Sequence, residues 1–312
     1  MTTSHLLDPV VRAFVEAFPD MELSGEILPV FRESFSFEDL PDPADSGVLK
    51  KEIAVPGLKD GQPSVRCLLY SPKSSQGQTG GYLHFHGGGY VLGAPEMTED
   101  DNVSLCAALG IPVLSVDYRL APEHPVPAPI DDCYAALAWF HENAAELGID
   151  PSRIAVGGDS AGAGLAAGLA LFARETAKYP ICFQLLTYPM IDDRTGSTSH
   201  PGDPLTGEFV WTRGSNQFGW SCYLGDAAPS APHVPARADS LAGLPPAWIG
   251  TATLDLFRDE NIDYAQRLMR AGVPTELVVY PGACHGFPIA ADASVSKQYF
   301  RDRLEALQRA LG

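Results

Sequence analysis

Positive charge is scarce in this chain. Its 312 residues carry 21 Lys and Arg against 39 Asp and Glu, a formal net charge of −18 at pH 7. Binding to a phosphate backbone needs clustered cations, so a nucleic-acid partner is excluded. The acidity is densest at the start, where residues 1–48 hold ten carboxylates against Arg12 and Arg32. It reads as a solvated, self-repelling surface. Long apolar runs are missing as well. No stretch reaches the roughly eighteen apolar residues that a membrane-spanning helix needs. The N-terminus, "MTTSHLLDPVVRAFVEAFPD", has no basic region followed by an apolar one. That argues against a secretory signal and makes the cytoplasm the expected location. Paired cysteines are the third absence. Cys67, Cys106, Cys133, Cys182, Cys222 and Cys284 are scattered, with neither C-x-x-C nor metal-ligand spacing. Reduced thiols are the expected state.

What is present is a chain that is 45% hydrophobic, enough for one large globular domain with an accessory part. Residues 1–48 stand apart: "DPVVRAFVEAF" has helical spacing and is followed by the polar, proline-containing "EDLPDPADSG". From Lys50 onward, short β-rich runs such as "GYLHFHG", "RIAVGGD" and "ELVVYPG" alternate with helical patterns. Eight such runs, several of them apolar without alternation, predict a mostly parallel eight-stranded sheet covered by helices on both faces. The C-terminal helix is expected near 292–311. Residues 190–240 break the alternation, with loops and one helix expected near 210–224. An insert of that length is usually functional or a subdomain. "SPKSSQGQTGG" reads as an ordinary surface loop.

Three places carry chemistry. The first is Gly158-Asp159-Ser160-Ala161-Gly162, a G-x-S-x-G between a strand and a small-residue helix. That pattern serves a sharp turn that exposes the serine hydroxyl at the carboxyl end of a sheet. The second is His86-Gly87-Gly88-Gly89-Tyr90. In a chain of this composition G-x-S-x-G arises by chance about 0.2 times and H-G-G-G about 0.007 times, so the glycine run is the sharper signal. A phosphate loop would need a following GK[ST]. A metal site on His84 and His86 lacks a further ligand nearby. The remaining reading is a set of backbone N–H donors for an oxyanion, with both histidines bracing the loop. The third place supplies partners for the serine, a weak nucleophile without a base. Of the later histidines, His200 and His233 fall in the insert, whereas His285 directly follows a strand and is flanked by glycine. Asp255 ends the preceding strand, "PAWIGTATLD". Asp259 and Glu260 read instead as first-turn carboxylates complementing a helix dipole.

Together, "HGGGY", "DYRLAPEHPVPAPIDDCYAAL", "GGDSAGAG", "DLFRDE" and "HGF" resemble the hormone-sensitive lipase family of α/β-hydrolases, over nearly the whole chain. "ELGIDPSRIAVGGDSAG" is similar to the heroin-esterase-like bacterial carboxylesterases of that family. The resemblance implies hydrolysis of short- to medium-chain acyl esters with a Ser160–His285–Asp255 triad and no cofactor. It implies oxyanion donors at Gly88, Gly89 and Ala161, with Gly87 shaping the turn. It also implies a helical cap from residues 1–48 and the 190–240 insert over a core of 49–189 and 241–312, and an assembly as a homodimer. Tyr90, Tyr188, Phe209, Trp211 and Phe287 are candidate pocket walls, with the Tyr90 hydroxyl expected near the mouth. The sequence departs from the family at Asp255-Leu256-Phe257, where Asp-Pro-Leu is frequent. Cys284, next to His285, reads as a small buried residue. An amidase, deacetylase or lyase on the same scaffold is the alternative. A non-catalytic receptor would lack the histidine that this chain has.

Overall fold

The computed structural model describes residues 2–17, 22–34, 37, 40, 42–74 and 77–312. Parts of the polar stretch 38–47 and of the loop 71–81 therefore lie outside the described residues. The chain opens with helices α1 (Pro9–Ala17) and α2 (Leu28–Ser34). Then come β1 (Val48–Val55), β2 (Val65–Pro72), β3 (Thr79–Phe85), α3 (Glu99–Leu109), β4 (Val113–Val116), α4 (Ala128–Glu142) and α5 (Ala144–Leu147). The second half holds β5 (Ile149–Asp159), α6 (Ala161–Thr176), β6 (Phe183–Thr187), α7 (Arg213–Leu224), β7 (Ala247–Ala252), α8 (Arg258–Arg270), β8 (Thr275–Tyr280) and α9 (Ser294–Leu311). The helix expected near 210–224 is α7, opened by Thr212, whose side chain accepts from the Ser215 N–H.

One eight-stranded sheet runs in the order β1-β2-β4-β3-β5-β6-β7-β8. Strand β2 is antiparallel to both its neighbours, and every other pair is parallel. Strands β4 and β7 are buried along their whole length. This is why their sequences are unbroken apolar runs: both faces are covered. Successive residues serve opposite faces. Leu83, Val156, Leu186 and Ile249 join the apolar cluster that includes α4, α6 and α8. Tyr82, Ala155, Leu185 and Trp248 join the cluster that includes α3 and α9.

Parallel pairing puts the carboxyl ends of β3, β5, β7 and β8 along one edge, where open α/β sheets bind ligands. Packing there is close. A side chain at Gly158 would collide with the Phe85 carbonyl oxygen. One at Gly162 would collide with the carbonyl oxygens of Phe85 and His86. Only hydrogen at these two positions lets the β5–α6 turn press against the end of β3. We predict that Gly162→Ala destabilises the protein by about 1–3 kcal/mol, since the obstacle is backbone and cannot repack. Gly25→Ala, which meets nothing within 4 Å, should leave the urea midpoint unchanged.

Candidate active site

Ser160 sits at the tip of that turn with φ 56° and ψ −118°, a left-handed conformation forced on a residue with a side chain. Its backbone is pinned on both sides. The N–H donates to the Thr187 carbonyl at 2.9 Å, and the carbonyl accepts from Gly164 at 2.9 Å and Met190 at 3.1 Å. The hydroxyl is thereby aimed at His285, whose Nε2 lies 3.0 Å from Ser160 Oγ. His285 Nδ1 lies 2.9 Å from Asp255 Oδ2. An ionised carboxylate only accepts, so Nδ1 carries the proton and Nε2 accepts from the serine. Asp255 is fully buried, and its other oxygen accepts the Phe257 N–H at 2.8 Å. The Phe257 ring stands edge-on to the imidazole at 5.1 Å. The departure at Leu256 and Phe257 therefore keeps the carboxylate and supplies a wall for the histidine.

The glycine run faces the serine. Gly88 and Gly89 have φ of 118° and 60°. A side chain at Gly88 would strike the Leu92 backbone and one at Gly89 the Trp211 ring. The Gly88 carbonyl is turned away and accepts from Val91 and Leu92. The N–H groups of Gly88, Gly89 and Ala161 have no acceptor among the described residues. Gly87 approaches the Asp159 carbonyl and the Ser160 side chain. Of the two histidines expected to brace this loop, His86 contacts it and His84 contacts the β5–α6 turn instead. The His86 ring stacks on Tyr118 at 4.3 Å, and its Nδ1 meets the Gly87 carbonyl at 2.8 Å. His84 Nε2 meets Asp159 at 3.3 Å. Among the described residues no group of three His, Cys, Asp or Glu side chains is gathered as a metal would require.

A cavity of about 530 Å³ opens beside Ser160 and His285. Of the expected aromatic walls, Tyr188 and Trp211 line it and three do not. Tyr90 is buried, stacked on Tyr223 at 3.9 Å, and its hydroxyl donates to the Met190 carbonyl rather than standing at the mouth. Phe287 is wedged between Tyr280 and Tyr299, each 5.4 Å away. Phe209 packs against the same apolar cluster. Leu23, Phe31 and Leu40 form walls that sequence reasoning missed, as do Met97 and Ile289. The apolar spacing of residues 1–48 signalled a packed segment but not what it packs on. Cys284 is buried, which pushes its thiol up to about 12 and keeps it inert at neutral pH.

Asp259 and Glu260 both stand in the first turn of α8, as expected, but they face opposite ways. Asp259 is exposed and paired with Arg258, as a first-turn carboxylate should be. Glu260 instead turns inward. Its Oε1 accepts from the N–H groups of Ile191 at 2.8 Å and Asp192 at 3.3 Å. Next to it, Asn261 donates to the Pro189 carbonyl at 2.7 Å. The start of α8 thus grips the segment whose Met190 backs Ser160 and whose Tyr188 ring lies 4.5 Å from His285.

Residues 82–289 match the family described as the alpha/beta hydrolase fold. The chain is 38% identical to the carboxylesterase NlhH of Mycobacterium tuberculosis strain H37Rv, over 98% of this chain and 96% of that protein. It is 36% identical to the esterase LipI of the same strain, over 90% and 88%. Among solved structures, a bacterial heroin esterase superposes with a TM-score of 0.87 at 38% identity, covering both chains completely. The esterase LipW of Mycobacterium marinum superposes with a TM-score of 0.88 at 36% identity, over 99% and 97%.

Two outcomes are expected. Glu260→Leu should lower kcat on p-nitrophenyl butyrate by tenfold or more with KM little changed, because a loosened backing segment misplaces the serine. Glu260→Gln keeps the accepting oxygen and should restore most of that kcat. The second concerns acid. Burial lowers His86 to about 4, so below its ordinary 6.5 the unfolded chain takes up a proton that the folded ring refuses. Burial acts to raise the Asp159 carboxyl, but the His84 ring and the Arg303 guanidinium outweigh it and hold it below its usual range. Both groups make stability fall as pH drops. The share of Asp159 falls below the ordinary carboxylate value, and Glu260, raised by burial, acts in the opposite sense. The His86 share is therefore read as the urea-unfolding difference between wild type and His86→Asn, which should shift against the wild type as pH drops from about 6.5 to 4.

Proposed function

We propose, from the premise that the chain belongs to the α/β-hydrolase family and is a carboxylic ester hydrolase, that Ser160 is its nucleophile, His285 its base and Asp255 the carboxylate that orients the base. The observation that carries this is the unbroken hydrogen-bonded line from Ser160 to Asp255, buried yet opening on a cavity. Ser160 Oγ attacks the ester carbonyl while His285 Nε2 takes its proton. Asp255 stabilises the imidazolium that results. The carbonyl oxygen, now negative, is received by the N–H groups of Gly88, Gly89 and Ala161, each worth roughly 3–4 kcal/mol to the transition state. His285 returns the proton to the departing alcohol, leaving an acyl-serine. Water then attacks that acyl group by the same path in reverse.

The same reading assigns residues 1–48 and 190–240 to a cap over a core of 49–189 and 241–312. Its support is that Leu23, Phe31 and Leu40 from the first segment, and Val210 and Trp211 from the second, wall the cavity. A volume of about 530 Å³ lies within the range typical of small-molecule sites, about 300–1,000 Å³. This favours short- to medium-chain acyl groups over long ones. A cytoplasmic location and a homodimer complete the proposal. In support of the first, no helix among the described residues is long and apolar enough to cross a membrane, and all six cysteines are free. Light scattering tests the second.

Ser160→Ala and, separately, His285→Ala should each lower kcat on p-nitrophenyl butyrate by about 10⁶-fold while thermal stability stays nearly unchanged. Either variant keeping most of its kcat would overturn the assignment. Activity rising with acyl length up to long-chain esters would overturn the size preference. A panel of matched amides and esters separates this reading from an amidase.

A further inference from the structure

The cavity beside Ser160 has two unlike ends. One is apolar, walled by Leu23, Phe31, Leu92 and Val210. The other is built by the turn Pro95–Thr98, the start of α3, the β5–α6 turn and α9. It brings Glu96, Asp100, Asp101 and Asp159 to the wall, and among the described residues no Lys or Arg lines the cavity. Two guanidinium groups stand behind this wall. Arg66 pairs with Glu96, and Arg303 pairs with Asp101 at 3.1 Å. Asp159 meets the His84 ring at 3.3 Å, the Tyr299 hydroxyl at 3.5 Å and the Thr187 side chain, and shares the field of Arg303 with Asp101. Asp100 is exposed and has no ion pair among the described residues. Negative charge is therefore in excess on this side.

An independent feature points the same way. Tyr188 lines the cavity and is more than nine-tenths buried. Its hydroxyl makes no hydrogen bond to any described residue, although it lies in the field of Asp159, Tyr299 and Asp101. The hydroxyl faces the cavity and is free to meet a polar group bound there. Its ring flanks His285 at 4.5 Å. His285 must return a proton to the leaving alcohol, so the alcohol half of an ester lies on the Tyr188 side and the acyl half extends toward the apolar end.

We propose that the acidic end of this cavity is a subsite for a protonated amine on the alcohol half of the substrate, with Tyr188 and the Asp100–Asp101–Asp159 wall as its specificity-determining groups. The proposal rests on the ester-hydrolase reading above. The ammonium N–H donates to the Tyr188 oxygen or to a carboxylate. The Tyr188 and Tyr299 rings add attraction between cation and aromatic face. An ester with a carboxylate in its alcohol half is repelled by the same wall.

The test compares 2-(dimethylamino)ethyl butyrate, cationic at pH 7, with 3-methylbutyl butyrate, which has the same shape with carbon in place of nitrogen. The readout is the ratio of their kcat/KM values, in which a general change in activity cancels. In the wild type this ratio should favour the cation by about tenfold and should shrink as salt is raised from about 0.02 to 0.5 M, which needs no variant. It should fall by threefold or more in Asp100→Asn and in Tyr188→Phe, and stay unchanged in Asp226→Asn, a charge removed from exposed surface elsewhere. A ratio insensitive to salt and to both cavity variants, in a preparation that hydrolyses p-nitrophenyl butyrate, overturns the subsite and leaves the hydrolase reading standing. A wild type that hydrolyses no ester at all overturns both.

Discussion

The contact between the β5–α6 turn and the end of β3 is the constraint on which the rest of the site depends. Gly158 and Gly162 bring that turn against the carbonyls of Phe85 and His86. Two things follow from one approach. Ser160, caught between two anchored glycines, is held at a positive φ that presents its hydroxyl. And the loop leaving β3, Gly87 to Gly89, is carried to the side of that hydroxyl, where a Cβ at Gly87 would already be in contact with the Ser160 side chain. Nucleophile and backbone donors are thus positioned by a single packing contact. Strain of this kind persists only where the surroundings over-determine it. Here the Thr187 carbonyl and the Gly164 and Met190 N–H groups do so.

The remaining elements hold the other partners at the same edge. Asp255 and His285 follow two adjacent parallel strands, β7 and β8, so their separation is set by strand spacing and by short loops. The imidazole is then confined by rings on several sides: Phe257 edge-on, Tyr188 tilted and Trp211 at 6.2 Å. The base cannot swing away from the serine without displacing aromatic groups that are themselves buried.

Much of this was legible in the sequence, and the reason is local. A strand, a G-x-S-x-G and a small-residue helix describe one continuous turn, and the three glycines after His86 describe another. Chain order then leaves His285 and Asp255 as partners. The walls were less legible because they depend on which way a side chain leaves its element. Tyr90 follows the glycine run directly, yet its backbone turns its ring under α7 and onto Tyr223. Phe287 lies two residues from His285 and points into the core. Leu23 and Phe31 belong to a segment whose docking place no spacing rule specifies. Glu260 shows the same limit: it is the first-turn carboxylate that its position says, but only the angle at which α8 meets the sheet decides whether it faces water or the Ile191 backbone.

The placement of charge near the serine follows from these packing facts. The oxyanion formed in the reaction is disfavoured by any fixed negative charge close to it, whereas the imidazolium is favoured by one. Asp255 meets the second demand from the far side of His285. Two other carboxyl groups lie near the turn, and their surroundings treat them differently. Asp159 has a ring nitrogen and a buried guanidinium to oppose burial, so it stays ionised. Glu260 has two backbone N–H groups and the Thr195 side chain but no cation, and burial raises it well above the usual carboxylate range. Folding favours its neutral form, so its contribution to stability is fully present below the ordinary carboxylate value and is lost as pH rises. Glu260 can therefore serve as a hydrogen-bond acceptor for the segment behind Ser160 with its charge suppressed by burial. A carboxyl group that looks like a liability in the core is tolerable there because burial itself suppresses its charge.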